Sequence, residues 1–159
     1  MDKYKIKLLF NMAKDALIDS GCIRRQYSAM ICSEDGVVVG IGTNKSPRGI
    51  EDCNKKQNYN CIRIAKNIPH GTRYELCASV HAEQNAILDA GNKCENGVLF
   101  LVGAENDKLI DARPCNICLK LILQSGIKKI YCLNADGSYH VIECKDIKFD
   151  DKFRYILYK

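Results

Sequence analysis

The stretch VLFLVGAENDKLIDARPCNICLKLILQSGIKKIYCL (residues 98–133) decides the fold class. It opens with a continuous apolar run, Val98 to Val102, which is typical of a buried strand. Pro114 then stands where a helix begins, the helix ends near Gly126, and Ile127 to Leu133 is a second strand-like run. A strand, a helix and a strand with a connection of this length predict a right-handed parallel βαβ unit.

The sequence on either side of this unit supplies further helices and strands. Residues 3–20 carry apolar side chains at helical spacing and predict an amphipathic first helix. The runs Tyr27 to Cys32 and Val37 to Ile41, joined by a segment that ends in Asp-Gly, predict an antiparallel hairpin. A second helix is expected from Val80 to Gly91, and a last antiparallel strand from Tyr139 to Cys144. We therefore predict an α/β protein, a three-layer α/β/α sandwich with a five-stranded mixed sheet.

Two segments, residues 42–79 and residues 103–113, show no sustained hydrophobic period and are predicted as loops. A loop as long as the first of these is usually functional or is held in place by something. We therefore expect residues 42–79 to contribute to a site.

Length and composition narrow the class of protein. A chain of 159 residues that is 47% hydrophobic and 27% charged matches one globular domain, which we assign to residues 1–159. The net charge of +5 is scattered along the chain and suits an anionic small molecule as readily as nucleic acid. The sequence has no secretory signal pattern and no membrane-length apolar run. The ten cysteines are therefore expected to be reduced thiols, some of them metal ligands, in a cytoplasmic protein that does not bind a membrane.

Two short motifs, His81-Ala82-Glu83 and Pro114-Cys115-Asn116-Ile117-Cys118, each open a predicted helix. Cys115 and Cys118 are three residues apart, so both sulfurs project from one helix face, and the positive end of the helix dipole favours their thiolates. With His81 they make three ligands and leave a fourth position open, as catalytic zinc sites do. The cysteine pair alone would fit a structural zinc site or a redox pair. The combination H-x-E…P-C-x-x-C is the signature of zinc nucleobase deaminases and favours a catalytic zinc.

Glu83 lies in the first turn of the second predicted helix, close to His81. A carboxylate there can take a proton from water that the metal activates and pass it to a ring nitrogen and a departing amine. The alternative is a glutamate that only complements the helix dipole. Because Glu83 occurs within the metal-binding motif, the catalytic role is favoured.

Five motifs resemble the deoxycytidylate deaminase family. They occur in family order over roughly residues 5–133 and are CIRRQYSA (22–29), GTNKSPRG (42–49), HAEQNAI (81–87), PCNIC (114–118) and SGIKKI (125–130). The resemblance implies the cytidine-deaminase-like fold and hydrolytic deamination of a cytosine nucleotide, dCMP to dUMP plus ammonia. It also implies a homo-oligomer, dimer or hexamer. It assigns His81, Cys115 and Cys118 as ligands of a catalytic Zn²⁺ and Glu83 as the proton shuttle.

The resemblance also indicates where a nucleotide would bind. The Asn of the family's Asn-Gly-x-Pro motif contacts the nucleotide and corresponds to Asn44, but Lys45 replaces the glycine. A side chain at that position could narrow the pocket or add a phosphate contact. Arginines suit an anionic substrate because a guanidinium group binds phosphate in a bidentate way. The expected substrate-binding residues are Asn44, Ala82, Arg24, Arg25 and Arg48.

The remaining cysteines raise the question of a second, structural zinc. Some relatives build one from a Cys before the first strand, a Cys after the Asn-Gly-x-Pro motif and a His upstream of the catalytic His. The corresponding residues are Cys22, Cys53 and His70, and Cys61 or Cys77 could complete four ligands. Such a site would explain how residues 42–79 are held. The alternative is that these cysteines are small buried side chains.

Three other functions stay open at this stage. The same scaffold could deaminate another free nucleoside, base or nucleotide. It could also act on a base in transfer RNA or other nucleic acid, although the scattered basic residues do not indicate such a partner. A catalytically silent zinc-binding interaction module is the third.

Overall fold

The computed structural model describes residues 1–69 and 71–149, together with the backbone of residues 155–157. The strands are β1 Gln26–Cys32, β2 Val38–Thr43, β3 Val98–Glu105, β4 Lys108–Ile110, β5 Lys129–Leu133, β6 Tyr139–Glu143, β7 Ile147–Phe149 and β8 Tyr155–Leu157. The α-helices are α1 Lys3–Asp15, α2 Ile62–Ala65, α3 Ala82–Ala90 and α4 Asn116–Gln124. Short 3-10 helices cover Ala16–Asp19, Tyr74–Leu76, Gly91–Cys94 and Cys144–Asp146. No helix in the described part of the chain combines the length and apolar character that a membrane crossing requires.

The main sheet has the strand order β2-β1-β3-β5-β6, with β4 paired to β3. Strands β3 and β5 pair in parallel, Val98 beside Lys129, and α4 lies between them in the chain. The predicted βαβ unit is therefore confirmed. The predicted hairpin of β1 and β2 and the antiparallel strand β6 are confirmed as well. Contrary to the prediction, β6 is not the last strand, because β7 and β8 follow it and form a separate two-stranded sheet.

Helices cover both faces of this sheet, as the three-layer prediction requires. On one face, α1 packs Phe10 against Phe100 of β3, with ring centroids 5.0 Å apart. On the other face, α3 and α4 bury apolar side chains such as Leu119 and Ile122 against Leu99 and its neighbours. Each large aliphatic side chain that is fully buried in this way contributes about 2 kcal/mol. The second of these core clusters thus fixes α3 and α4 on one face of the sheet, and α1 covers the other.

The predicted number of five strands is wrong, because the main sheet has six. The extra strand, β4, lies in residues 103–113, which were predicted as a loop. Asn106 and Asp107 both have positive φ, 51° and 60°, and form the two-residue turn between β3 and β4. A turn with positive φ at both central residues matches the right-handed twist of the strands, so a tight hairpin forms here. The segment 42–79 is mostly irregular as predicted, but it contains α2 and the 3-10 turn Tyr74–Leu76.

Two glycines allow α3 to lie directly on β2. A Cβ atom on Gly42 would be 2.2 Å from the Ala86 nitrogen and 2.4 Å from the Ala82 oxygen, and one on Gly40 would be 2.6 Å from the Ala86 oxygen. These contacts involve the helix backbone, which cannot rotate away as a side chain can. Glycine at both positions therefore sets how closely the helix approaches the sheet.

Candidate zinc centre and substrate cavity

Three candidate zinc ligands converge at the N-terminal ends of α3 and α4. His81 is the N-cap residue of α3, Cys115 is the N-cap residue of α4, and Cys118 lies in the first turn of α4. The His81 Nδ1 atom lies 3.5 Å from the Cys115 sulfur and 3.3 Å from the Cys118 sulfur. All three ligand atoms lie within 4.8 Å of one another. Two sulfurs and one imidazole nitrogen are a donor set that suits zinc, and three protein ligands leave a coordination position for water or substrate.

The protonation of this cluster also favours a metal. The pKa of Cys115 is lowered to about 4, because the Cys118 thiol forms a hydrogen bond with it and His81 adds a second. The pKa of Cys118 is raised by the same Cys115 hydrogen bond and by burial. The lowered pKa of Cys115 favours its thiolate, the form that binds zinc.

The start of α3 is tied to the end of β2. Val80 and Lys45 form an antiparallel bridge through both backbone hydrogen bonds, 2.9 and 3.2 Å long. One helical turn later, the Asn85 side chain donates to the Thr43 carbonyl over 2.8 Å. These bonds fix the position of His81, so the ligand is placed by the sheet.

Glu83 lies beside the ligands but is not one of the three that cluster. Its side chain is buried, and burial raises its pKa above the ordinary value. Its interaction with the nearby Cys118 thiol raises the pKa of that thiol. A carboxyl group in this position can exchange protons with a molecule bound at the metal.

A cavity of about 480 Å³ opens over His81, Glu83 and Cys115. Of the predicted substrate-binding residues, Arg24, Arg25, Asn44 and Ala82 line it. Arg48 does not line the cavity and is exposed, as is Lys45. The cavity lining also includes Arg63, Arg73 and Arg113. The cavity wall contains five arginines and two glutamates, and this excess of positive charge attracts an anion.

Comparisons with known proteins identify the family of this chain. A sequence profile described as the cytidine and deoxycytidylate deaminase zinc-binding region matches residues 2–134. The chain belongs to this deaminase family. The predicted resemblance to deoxycytidylate deaminases is thereby confirmed.

Three relatives illustrate the extent of the similarity. The deoxycytidylate deaminase of Schizosaccharomyces pombe is 31% identical over 121 residues, which are 75% of this chain and 34% of that protein. The deoxycytidylate deaminase of Mycobacterium phage D29 is 30% identical over 115 residues, which are 70% of this chain and 80% of that protein. The crystal structure of dCMP deaminase from the cyanophage S-TIM5 in apo form has a TM-score of 0.57 at 25% identity and covers 84% of this chain and 86% of that one. The chain thus spans about a third of the length of the fission yeast relative.

The side chain of Asn44 is held by three hydrogen bonds. Its Oδ1 accepts from the Ser20 hydroxyl at 2.8 Å and from the Tyr27 backbone nitrogen at 2.7 Å. Its Nδ2 donates to the Arg25 carbonyl at 2.8 Å. The backbone partners define which side-chain atom is oxygen and which is nitrogen. Asn44 therefore presents a fixed amide to the cavity that it lines.

Arg25 carries a counterion of its own. Its Nε lies 3.1 Å from a carboxylate oxygen of Glu105, and this ion pair raises the pKa of Arg25. Both side chains are partly exposed, so the pair contributes little to stability. Its effect is to orient the guanidinium group at the wall of the cavity.

Several residues of the cavity wall were not predicted as site residues, and four of them bear on the chemistry: Arg63, Arg73, Tyr74 and Arg113. Arg113 directly precedes the Pro-Cys motif, and this adjacency was a usable signal. The other three lie in the irregular segment 62–77, where no periodicity indicates which side chains face inward.

The four cysteines predicted for a second zinc lie near one another, but less closely than the first set. Burial raises the pKa of the Cys77 thiol, and the nearby thiols of Cys22, Cys53 and Cys61 raise it further. The Tyr59 hydroxyl forms a hydrogen bond with Cys53, which raises the pKa of Tyr59 to about 12. Among the described residues, these sulfurs do not form a cluster within 4.8 Å like that of His81, Cys115 and Cys118. His70 lies outside the described residues.

Proposed function

We propose that this chain is a zinc-dependent deaminase that hydrolyses a cytosine nucleotide, dCMP, to dUMP and ammonia. The observation that carries the proposal is the convergence of His81, Cys115 and Cys118 beside the buried carboxyl group of Glu83. Membership of the deaminase family supports the same reaction. The names of the relatives, deoxycytidylate deaminases of a yeast and a phage, support dCMP as the substrate.

The proposed chemistry assigns zinc and Glu83 separate tasks. Zinc, when bound by the three ligands, supplies a Lewis acid that activates water. Glu83 takes one proton from the attacking water and passes it to N3 of the cytosine ring. The oxygen forms a bond to C4, the bond from C4 to the amino group breaks, and Glu83 carries a further proton to the departing ammonia. The raised pKa of Glu83, a result of burial, suits a group that both accepts and donates a proton near neutral pH.

We propose that arginines of the cavity wall bind the phosphate. Arg24 and Arg25 line the cavity directly before β1, and the Arg25 guanidinium group is oriented by Glu105. A guanidinium group can bind phosphate through two parallel hydrogen bonds. Asn44 and Ala82 would then contact the nucleoside part, because both line the same cavity near His81.

The structural zinc is a separate part of the proposal. Cys22, Cys53 and Cys77 are brought close by three different parts of the chain, and Cys61 and His70 are the further ligand candidates. A zinc ion there would hold the irregular segment against β1. Metal analysis of the purified protein tests it: two zinc ions per chain support it, and Cys53→Ser should then lower the content to one. A wild-type content of one zinc rejects it.

We further propose that residues 1–159 act as one deaminase domain in a cytoplasmic homo-oligomer, a dimer or a hexamer. The resemblance to the deoxycytidylate deaminase family supports this assembly. Light scattering during gel filtration tests it, and a monomer at micromolar concentration would contradict it.

Release of ammonia from a panel of compounds tests the substrate. The panel is dCMP, CMP, deoxycytidine, cytidine, cytosine, AMP and adenosine, with Glu83→Gln as the inactive control. We expect the highest kcat/KM with dCMP. Preferential turnover of a nucleoside or a purine would reject dCMP but keep the deaminase, and no turnover of any cytosine compound by the zinc-loaded protein would reject the proposed reaction.

A further inference from the structure

Arg63 is a buried cation in the short helix α2, within the otherwise irregular segment that forms one wall of the cavity. Its side chain is only 7% exposed. The guanidinium group donates to the carbonyl oxygen of Arg73 at 2.8 Å and to that of Pro69 at 3.0 Å. A buried charge is tolerated when it is hydrogen-bonded in this way. Arg63 therefore holds the backbone at Pro69 and at Arg73, the residue before Tyr74.

The same guanidinium group lies over the ring of Tyr74. The carbon at its centre is 5.0 Å from the ring centroid, within the range of a cation–π contact. The Tyr74 ring in turn meets the His81 ring nearly at a right angle, 83°, with centroids 4.7 Å apart. This is a favoured geometry for two aromatic rings. Arg63, Tyr74 and His81 thus form one continuous row of contacts that ends at a candidate zinc ligand.

The His81 ring requires support of this kind. Its Nδ1 faces the sulfurs of Cys115 and Cys118. A zinc-binding histidine usually donates its other ring N–H to a carboxylate, a backbone carbonyl or water, which fixes the orientation of the ring. The described part of the chain provides no such protein partner for Nε2 of His81. Packing against Tyr74 takes the place of that hydrogen bond.

We propose that Tyr74, anchored by Arg63, is a positioning residue that holds the His81 imidazole with Nδ1 directed at the metal. The inference rests on the zinc centre of the proposed function and does not depend on which compound is deaminated. It assigns to the irregular segment 62–77 a role in metal retention in addition to forming the cavity wall.

Competition with a chromophoric chelator measures the zinc affinity of the holoenzyme and its variants, and the visible spectrum of the cobalt-substituted protein reports the coordination geometry. Loss of an outer support of a metal ligand typically weakens metal binding about 10- to 100-fold, and we expect this range for Tyr74→Leu, with an altered cobalt spectrum. Tyr74→Phe keeps the ring and should retain the wild-type spectrum and an affinity within about twofold, which is small against that range.

The role of Arg63 is tested by asking whether the effects of changing Arg63 and Tyr74 on zinc affinity are additive. Arg63→Met should weaken zinc binding in the same direction, and the double variant with Tyr74→Leu should be no weaker than Tyr74→Leu alone, because both act through one ring. Arg63→Lys keeps a cation over the ring and replaces Arg63→Met in this test if the methionine variant does not fold. It should bind zinc more tightly than Tyr74→Leu.

Tyr131→Leu is the matched control for general destabilisation. Tyr131 stacks on Phe100, with ring centroids 4.7 Å apart, on the opposite face of the sheet from the zinc ligands. This variant should unfold at a lower temperature and bind zinc as the wild type does.

Several outcomes would overturn the inference. Wild-type affinity and an unchanged cobalt spectrum in Tyr74→Leu would reject the positioning role, and a Phe variant as weak as the Leu variant would assign the effect to the hydroxyl group. Additive effects of the Arg63 and Tyr74 changes would reject the anchoring role of Arg63. A wild-type protein that binds zinc tightly but does not deaminate dCMP would reject the proposed substrate and leave this inference intact.

Discussion

Replacement of Gly42 by alanine tests how strictly the zinc centre depends on the contact between β2 and α3. The new Cβ atom would lie 2.2 Å from the backbone nitrogen of Ala86 and 2.4 Å from the carbonyl oxygen of Ala82, whereas ordinary contact begins at 3.4 Å. Neither atom can move without the helix, so α3 must withdraw from the sheet by about 1 Å or the strand must bend.

The magnitude follows from this geometry. Overpacking of a core costs about 1–3 kcal/mol, and we expect about 3 kcal/mol because the obstructing atoms belong to a helix backbone. For a chain of this size that corresponds to a melting temperature about 6–12 °C lower. A displacement of about 1 Å at a catalytic group can cost about 100-fold in rate, and α3 carries Glu83 and begins next to His81. We therefore expect kcat of Gly42→Ala to fall by about that factor in protein that is still folded.

Gly40→Ala is the matched control. Its Cβ atom would meet the Ala86 oxygen at 2.6 Å and the Ala90 nitrogen at 2.7 Å, near the C-terminal end of α3 and farther from the ligands. It should lower the melting temperature by a similar amount and reduce kcat much less. Calorimetry and the ammonia assay, run at a temperature where both variants are folded, provide the comparison. A Gly42→Ala protein that melts like the wild type and retains full turnover would refute the argument, and so would equal losses of kcat in the two variants.

Three further changes test single side chains. Glu83→Gln should lower kcat about 10²- to 10⁴-fold, as loss of a general acid–base group does, and metal analysis should find zinc unchanged; a variant with full activity would remove Glu83 from the mechanism. Asn44→Ala breaks three hydrogen bonds and leaves buried groups without partners, so urea unfolding should show a loss of about 3 kcal/mol, and an unchanged midpoint would contradict this reading. Arg25→Met should raise KM for dCMP and leave KM for deoxycytidine nearly unchanged, because only the nucleotide carries a phosphate. Equal effects on both compounds would argue against a phosphate contact.

The zinc centre could be predicted from sequence because its geometry is local. Cys115 and Cys118 are three residues apart in one helix, and His81 and Glu83 lie together at the start of another, so each pair is arranged by helix geometry alone. Packing of α3 and α4 on the same face of the sheet then brings the two helix starts together. Apolar runs also identified the strands of the main sheet, except for β4.

The rest of the cavity could not be predicted in the same way. The side chains of Arg63 and Tyr74 reach the zinc centre through an irregular segment, and no repeat in the sequence specifies the path of such a segment. The hairpin of β3 and β4 was missed for a different reason. Its turn is Asn106-Asp107, two residue types that tolerate positive φ, and the polar character of the surrounding residues concealed that signal.

The amide of Asn44 has a consequence for what can occupy the cavity beside it. Both lone pairs of its oxygen are already used by Ser20 and Tyr27, and one of its two N–H bonds is directed at the Arg25 carbonyl. What remains is a single N–H, so this corner can give a hydrogen but can receive none. A sugar or phosphate oxygen satisfies it, whereas an ammonium group has no acceptor there. The arginines of the cavity attract an anion at longer range, and the polarity of one immobilised amide adds a selection at contact.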